Sequence, residues 1–341
     1  MVSAAYVRKL ISLALILSIS ALLYSSVFKS PAIRISSASD FRWKNNEHPP
    51  CNNDGESKGP LLLAVRDHDD HLSACDLSKG LGYGHRCDLQ RGYTFFTFDP
   101  FLDLHVSHGM LQTGGLYDAH VHAALDFALS ESGDDLHCTP GSIVLDVGSN
   151  LGTLALYAAA MGCKTHAFEI QPEVACRLQM SITASNLDVT LHRKAVHSEA
   201  GKELTFGNIP NNPGGVGIVD GGQDSTRSVK SVRLDDVFGA SGDIVFMKVD
   251  TEGNEFHVLK SAENLLSGQQ IKYMVVEVRP SQVEMVNYLY DYGYTCSLIR
   301  DARAREAVTC RSTSLENLLI KLQRVEAFSD MFCCIGVPKK M

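Results

Sequence analysis

The chain has 341 residues, 45% of them hydrophobic, enough for one large or two ordinary domains with a substantial core. Acidic residues outnumber basic ones by 39 to 31, for a formal net charge of −8, which argues against a broad groove for a phosphate backbone. Met1–Ser39 holds Arg8, Lys9, Lys29 and Arg34 and no acid, so the net −8 leaves −12 on everything after it.

Leu10–Phe28 runs for 19 residues without a charge, close to the roughly 20 that cross a bilayer as a helix. Its six Leu and three Ile outweigh five Ser, and the run is longer than the about 7 to 15 apolar residues of a cleavable signal. The expectation is an uncleaved anchor. Orientation is contested, because Lys29, Arg34, Arg42 and Lys44 follow the span while only Arg8 and Lys9 precede it. The short N-terminus before a long body favours a signal-anchored enzyme of the endoplasmic reticulum or Golgi with a lumenal body. A basic, Ser-rich, acid-free start also suits an organellar, mitochondrial address. No Asn-x-Ser/Thr sequon supports the lumenal reading.

Ten cysteines, at 51, 75, 87, 138, 163, 176, 296, 310, 333 and 334, would permit disulfides in an oxidising lumen, with a pairing that sequence does not give. Adjacent Cys333 and Cys334 in MFCCIGV read first as small buried strand residues. Residues 29–94 are rich in Ser, Asn, Asp, Gly and His, and read as a stem and irregular lead-in broken only by the apolar run from Leu61 to Val65. Within it Asp67-His-Asp-Asp-His71 has metal-binding residue types, but consecutive side chains of an extended loop diverge, so it reads as a solvated loop.

Beyond this, short apolar runs alternate with segments of helical spacing, the pattern of a doubly wound, mostly parallel sheet. Strands are expected at Ile143–Val147, Lys164–Glu169, Val189–Lys194, Ile244–Asp250 and Tyr273–Val278, with a last pair at Tyr294–Ile299 and Met331–Val337. Helices are expected at Tyr117–Leu129, Thr153–Met161, Pro172–Asn186 and Glu255–Leu266.

The most informative stretch is Ile143-Val-Leu-Asp146-Val-Gly148-Ser-Asn150-Leu-Gly152, a strand, a glycine turn and a helix start. Gly148 and Gly152 lack a Cβ, so a ligand can approach the backbone and meet free N–H groups of the following helix. The dinucleotide pattern needs a middle glycine that is missing here, and Asp146 would repel a pyrophosphate. A ligand carrying an ammonium and a sulfonium, as S-adenosylmethionine does, would be attracted. Glu169, ending the next strand, sits where a carboxylate accepts both hydroxyls of an adenosine ribose. Asp146, Gly148, Asn150, Gly152 and Glu169 are therefore the expected cofactor-binding residues.

This loop resembles that of the FkbM-type methyltransferases, and so does a second block, Lys248-Val-Asp250-Thr-Glu252-Gly253-Asn-Glu255. Phe168-Glu169, Pro172, Asn186, Leu234-Asp235-Asp236, Val276-Glu277 and Gly293-Tyr294 fall in that family's order. Ser149 stands where Ala is common. The similarity runs from about residue 95 to the C-terminus, which divides the chain into a tail at 1–9, an anchor at 10–28, the stem at 29–94 and a body at 95–341. The resemblance implies a Rossmann-like class I methyltransferase fold, a seven-stranded sheet with one antiparallel strand, and methyl transfer from S-adenosylmethionine, usually to a hydroxyl oxygen.

In open α/β sheets the reactive centre lies beyond the carboxyl ends of the strands, which points to Asp250 and Glu252 as the catalytic candidates. Asp250 would serve as base or orienting acceptor and Glu252 as a substrate or cofactor contact. Glu255 reads as a structural residue that pairs with Lys248 or caps the helix. Asp250, Glu252 and Glu277 could hold Mg²⁺, but nothing in the pattern obliges it and no metal is assigned. His192, His197 and His257 read as packed or surface residues. The loop Asn208–Gly217 would flank the acceptor, with Asn211 and Asn212 either bonding a sugar-like ligand or making turns. The expected function is O-methylation of a glycan or small molecule by an anchored enzyme with no nucleic-acid partner. The competing readings are a catalytically silent anchored binding module and, less well supported, a dinucleotide oxidoreductase.

Overall fold

The computed structural model describes residues 34–37, 62–66, 93–98, 103–113, 117–131 and 138–335, the last with short gaps at 208, 210–211, 220–226, 240–242, 300–307, 309 and 311–312. The expected span at Leu10–Phe28, the Asp67–His71 cluster, Asn208 and Asn211 lie outside the described residues. Among the described residues no helix is long and apolar enough to cross a membrane.

Strands β1 (Arg34–Ser37), β2 (Leu62–Arg66) and β3 (Tyr93–Thr97) form a small antiparallel sheet, so part of the stretch expected to be irregular is ordered by pairing. Helices α1 (Val106–Thr113) and α2 (Ala119–Ser130) lead into β4 (Ile143–Val147), α3 (Thr153–Ala160), β5 (Lys164–Phe168), α4 (Pro172–Ser185) and β6 (Val189–His192). Then come β7 (Ala195–Val196), β8 (Glu203–Phe206), β9 (Arg227–Val232), α5 (Leu234–Phe238), β10 (Ile244–Val249), α6 (Glu255–Ser261), α7 (Glu263–Ser267) and β11 (Ile271–Val278). The described chain closes with α8 (Val283–Asp291), β12 (Tyr294–Leu298), α9 (Leu315–Leu322) and β13 (Ser329–Ile335).

Seven strands make the central sheet in the order β12-β13-β11-β10-β4-β5-β6, with β13 antiparallel to both neighbours and the rest parallel. This is the doubly wound, mostly parallel arrangement expected from the sequence. β4 and β10 are buried along their whole length because helices cover both faces, which is why they read as continuous apolar runs. Alternation divides the core: Val144 packs with residues of α2, α3 and α4, while Ile143, Leu145 and Val147 pack with residues of α6, α7 and α8. β3 is fixed to α4 where Ser185 and Ser181 hydroxyls accept the Thr94 and Phe96 N–H groups at 2.8 and 2.9 Å.

Two sequence expectations change. The helix expected over Glu255–Leu266 breaks at Ala262 into α6 and α7, because the Asp235 carboxylate accepts the Asn264 and Leu265 N–H groups and starts a new helix there. The strand expected at Val189–Lys194 ends at His192, and β7 turns away to join β9 and β8 in a separate three-stranded sheet. Cys333 and Cys334 are buried as expected but are also covalently engaged: Cys333 bridges Cys296 and Cys334 bridges Cys310, beside a third bridge, Cys138–Cys163.

Candidate functional site

The turn after β4 is held from several sides. The Gly148 and Ser149 N–H groups both donate to the Phe168 carbonyl at 3.0 Å, joining the turn to the end of β5. Gly148 and Gly152 adopt φ of 78° and 81°, where a side chain is strained. A Cβ on Gly148 would lie 1.7 Å from the Asp250 carbonyl oxygen, so the glycine lets the ends of β4 and β10 close on each other. A Cβ on Gly152 would strike Leu178 of α4, so that glycine serves packing.

Above this junction is a cavity of about 350 Å³, within the range of small-molecule sites. Gly148, Asn150, Glu169, Asp250 and Glu252 line it, as do Glu277, Asp118, Asp330 and Lys248. Of the expected cofactor residues, Asp146 and Gly152 are not in the wall. Asp146 lies beneath the turn with Oδ2 accepting the Ala155 N–H at 3.0 Å and Oδ1 without a hydrogen-bond partner, 3.9 Å from Lys248 Nζ. Burial raises its pKa, with Lys248 and Ala155 opposing. Its charge acts on the cavity through Lys248 rather than by touching a ligand.

Glu169 Oε2 accepts the Asn150 N–H at 2.9 Å and Oε1 the Gln171 N–H at 2.8 Å, which fixes the carboxylate beside the turn with lone pairs left over. Burial pushes it up to about 7 against those hydrogen bonds. Beyond it, Ile170, Ala195 and Val196 supply an apolar wall. Together with the Cβ-free backbone at Gly148, these residues fit a ribose with an attached planar base.

Lys248 is the buried cation of the opposite half. Its Nζ lies 3.2 Å from Asp250 Oδ2 and donates to the Gly148 carbonyl at 3.3 Å. Burial alone would lower its pKa, but Asp250 and Asp146 outweigh burial and raise it, so the ammonium is permanent. Asp250 is thus held in an ion pair. Glu252, in a left-handed backbone conformation with φ of 55°, lies 3.3 Å from Arg279 Nη2 and is partly exposed, its pKa raised by burial. Glu255 takes the structural role expected of it but does not reach Lys248. Its Oε1 accepts the Thr251 and Gly253 N–H groups at 3.0 and 2.8 Å, and Gln282 donates to Oε2 at 2.9 Å, which ties the turn after β10 to the segment following β11.

Sequence reasoning missed two members of the wall, Asp118 and Asp330, and weighed a third, Glu277, as a metal ligand. Glu277, 4% exposed at the end of β11, has Oε2 3.3 Å from Arg279 and Oε1 with no hydrogen bond among the described residues. Burial pushes it up to about 8, helped by Asp250 and Glu255. Asp330 of β13 stands directly opposite Glu277 and holds His120 at 2.6 Å. Asp118 precedes α2 with φ of 56°. No motif marks Asp118 or Asp330. Only strand adjacency, which places the ends of β10, β11 and β13 side by side, brings them together.

The loop across the mouth is glycine-rich for a reason. A Cβ on Gly214 would lie 2.1 Å from Asn150 Nδ2 and one on Gly217 2.5 Å from the Glu252 carbonyl oxygen, so the loop reaches from the cofactor turn to the acidic block. The Gln171 side-chain amide donates to the Pro213 carbonyl. Asn212 lines the cavity while its Oδ1 accepts the Gly215 N–H at 3.0 Å, so it makes a turn and still faces the site. His192 stacks on Phe168 and His197 on His257, packed residues outside the cavity wall, as expected.

Residues 146–296 match the family model described as the methyltransferase FkbM domain. Among curated proteins none matches the sequence. Solved structures of similar architecture include an rRNA methylase from Streptococcus thermophilus, 12% identical, covering 64% of this chain and 96% of its own, with a TM-score of 0.36. Another is magnesium protoporphyrin IX methyltransferase from Synechocystis with bound SAM, 10% identical, covering 68% of this chain and 84% of its own, with a TM-score of 0.35.

Proposed function

We propose that this chain, which carries a methyltransferase FkbM domain over residues 146–296, moves a methyl group from S-adenosylmethionine to a hydroxyl oxygen of a glycan or small molecule. The observation that carries the reading is the single cavity in which the Gly148–Asn150 turn and Glu169 face the carboxylate-rich ends of β10 and β11. When bound, the cofactor supplies an electrophilic methyl on a sulfonium. Glu169 holds its ribose hydroxyls, the Gly148–Asn150 backbone closes against it, and Ile170, Ala195 and Val196 cover its base.

Asp250, fixed by Lys248, accepts a hydrogen bond from the acceptor hydroxyl and orients it. Glu277, with Oε1 free among the described residues, receives the proton in its ionised form as the new carbon–oxygen bond forms, so turnover rises as pH approaches about 8. Glu252, steadied by Arg279, contacts the acceptor at the more open side. The wall carries six carboxyl groups against Lys194 and Lys248, a balance that favours neutral, hydroxyl-rich acceptors over phosphate and sulfate esters.

Leu10–Phe28 anchors the chain in a membrane of the secretory pathway, with the body on the lumenal side. The three bridges among the described residues support that side, since disulfides persist in oxidising compartments. Calorimetry of the detergent-solubilised chain with S-adenosylmethionine and with NAD tests the cofactor. Binding of the first and not the second is expected, and binding of NAD alone would overturn the reading. Release of S-adenosylhomocysteine with a panel of neutral and anionic sugars then tests the acceptor class.

A further inference from the structure

One carboxylate of the cavity wall has no partner among the described residues. The Asp118 side chain makes no hydrogen bond and no ion pair among the described residues, although it lines the cavity. The other wall carboxylates are all engaged: Glu169 by backbone N–H groups, Asp250 by Lys248, Asp330 by His120, and Glu252 and Glu277 by Arg279. Asp118 is also held at φ 56° and ψ 57°, a left-handed conformation that costs a non-glycine residue about 1 to 2 kcal/mol.

The strain has a local cause. Asp118 is the turn before α2, where its carbonyl accepts the Val121 N–H at 2.8 Å, and the His122 ring spans from that turn to the start of α3, with Nδ1 and Nε2 each 3.2 Å from the Asp118 and Thr153 carbonyls and one of them donating. The charged groups that act on the carboxylate are His120, Asp330, Lys248 and Asp250, which puts it on the β10 and β13 side of the cavity, while Glu169 lies at the end of β5. A ligand whose ribose is held by Glu169 and which passes over Gly148 brings its far end toward Asp118. In S-adenosylmethionine that end is an amino acid whose ammonium seeks a carboxylate.

Resting on the methyl-donor reading above, we propose that Asp118 is the seat of the donor's α-ammonium group. The charges around it agree. Burial pushes Asp118 up to about 6, with Asp330 and Asp250 adding and His120 and Lys248 opposing, so the site awaits a mobile cation that resident groups do not supply. Asp118 ionises above that pH, so affinity for an ammonium ligand falls as pH drops through about 6. His120 of α2, Lys248 of β10, Asp250 after it and Asp330 of β13 are the titratable groups that face it.

The test is calorimetry on the solubilised full chain with two probes, S-adenosylhomocysteine and 5′-methylthioadenosine, which shares the nucleoside but lacks the amino acid. Asn tolerates the left-handed conformation, so Asp118→Asn removes the charge with little change to the turn. The proposal expects Asp118→Asn to weaken S-adenosylhomocysteine at least about tenfold and to leave methylthioadenosine within about twofold of wild type. Unchanged S-adenosylhomocysteine binding, or equal loss of both probes, would overturn it. Wild type that binds neither probe would instead sink the methyl-donor reading itself.

Discussion

Glu277→Gln isolates the consequence of burying a carboxylate at the end of β11. The wild-type group is pushed from 4.5 up to about 8 by burial and by its acidic neighbours, so between those values the folded protein binds a proton that the unfolded chain releases. A raised carboxylate pKa means that its stabilising contribution is complete below about 4.5 and disappears as pH rises through about 8. Each pH unit in that window removes about 1.4 kcal/mol. Gln has the same shape and does not titrate. From about pH 5.5 to about pH 7.5 the variant should therefore gain about 2 to 3 kcal/mol on wild type, or roughly 5 to 10 °C in Tm for a body of this size. His166, lowered to about 4 by burial and by His192, and His192, also lowered by burial, act in the opposite direction, but they are common to both proteins and cancel in the difference. The assay is denaturant unfolding of the ligand-free, oxidised protein at each pH. Parallel stability curves for the two proteins would refute the claim that burial holds Glu277 protonated at neutral pH.

Gly148→Ala should destabilise by more than about 2 kcal/mol and abolish donor binding, since the Cβ meets a backbone oxygen at 1.7 Å; wild-type calorimetry in the variant would contradict this. Glu255→Ala strands two N–H groups of the turn after β10 and should cost about 3 kcal/mol, measured by denaturant midpoint, with a loss of acceptor turnover larger than any loss of donor affinity. Reduction should remove about 3 kcal/mol per bridge, and peptide mapping should find Cys138–Cys163, Cys296–Cys333 and Cys310–Cys334 linked; other pairings of these six cysteines would contradict the packing described.

Strands buried on both faces are legible from sequence because continuous apolar runs such as IVFMKV have few other places to go, and Ile143–Val147 and Ile244–Val249 lie where expected. β9 was not foreseen, since RSVKSV alternates polar residues with only Val229 and Val232 and packs only one small face. Within the site, Gly148, Asn150 and Glu169 belong to one strand–turn–helix–strand unit, and local spacing finds them. Asp118, Glu277 and Asp330 belong to three elements whose ends meet only when β13 inserts between β11 and β12. The same limit applies to Asp146, whose position before the turn suggested a ligand contact when burial makes it the counter-ion of Lys248.

The two adjacent cysteines of β13 act as a check on strand registry. Cys333 faces Cys296 across the β12–β13 ladder, and its neighbour Cys334 faces Thr295, with its own bridge to Cys310. Successive strand residues point to opposite faces, so each cysteine can find its partner only while β13 keeps this alignment. A slip by one residue would turn Cys334 toward the face of Cys296 and leave Cys333 on the face of Cys310. β13 also carries Asp330, which such a slip would turn away from Glu277 and out of the cavity wall. Oxidation at two neighbouring positions therefore records that the acidic wall has been assembled in its working alignment.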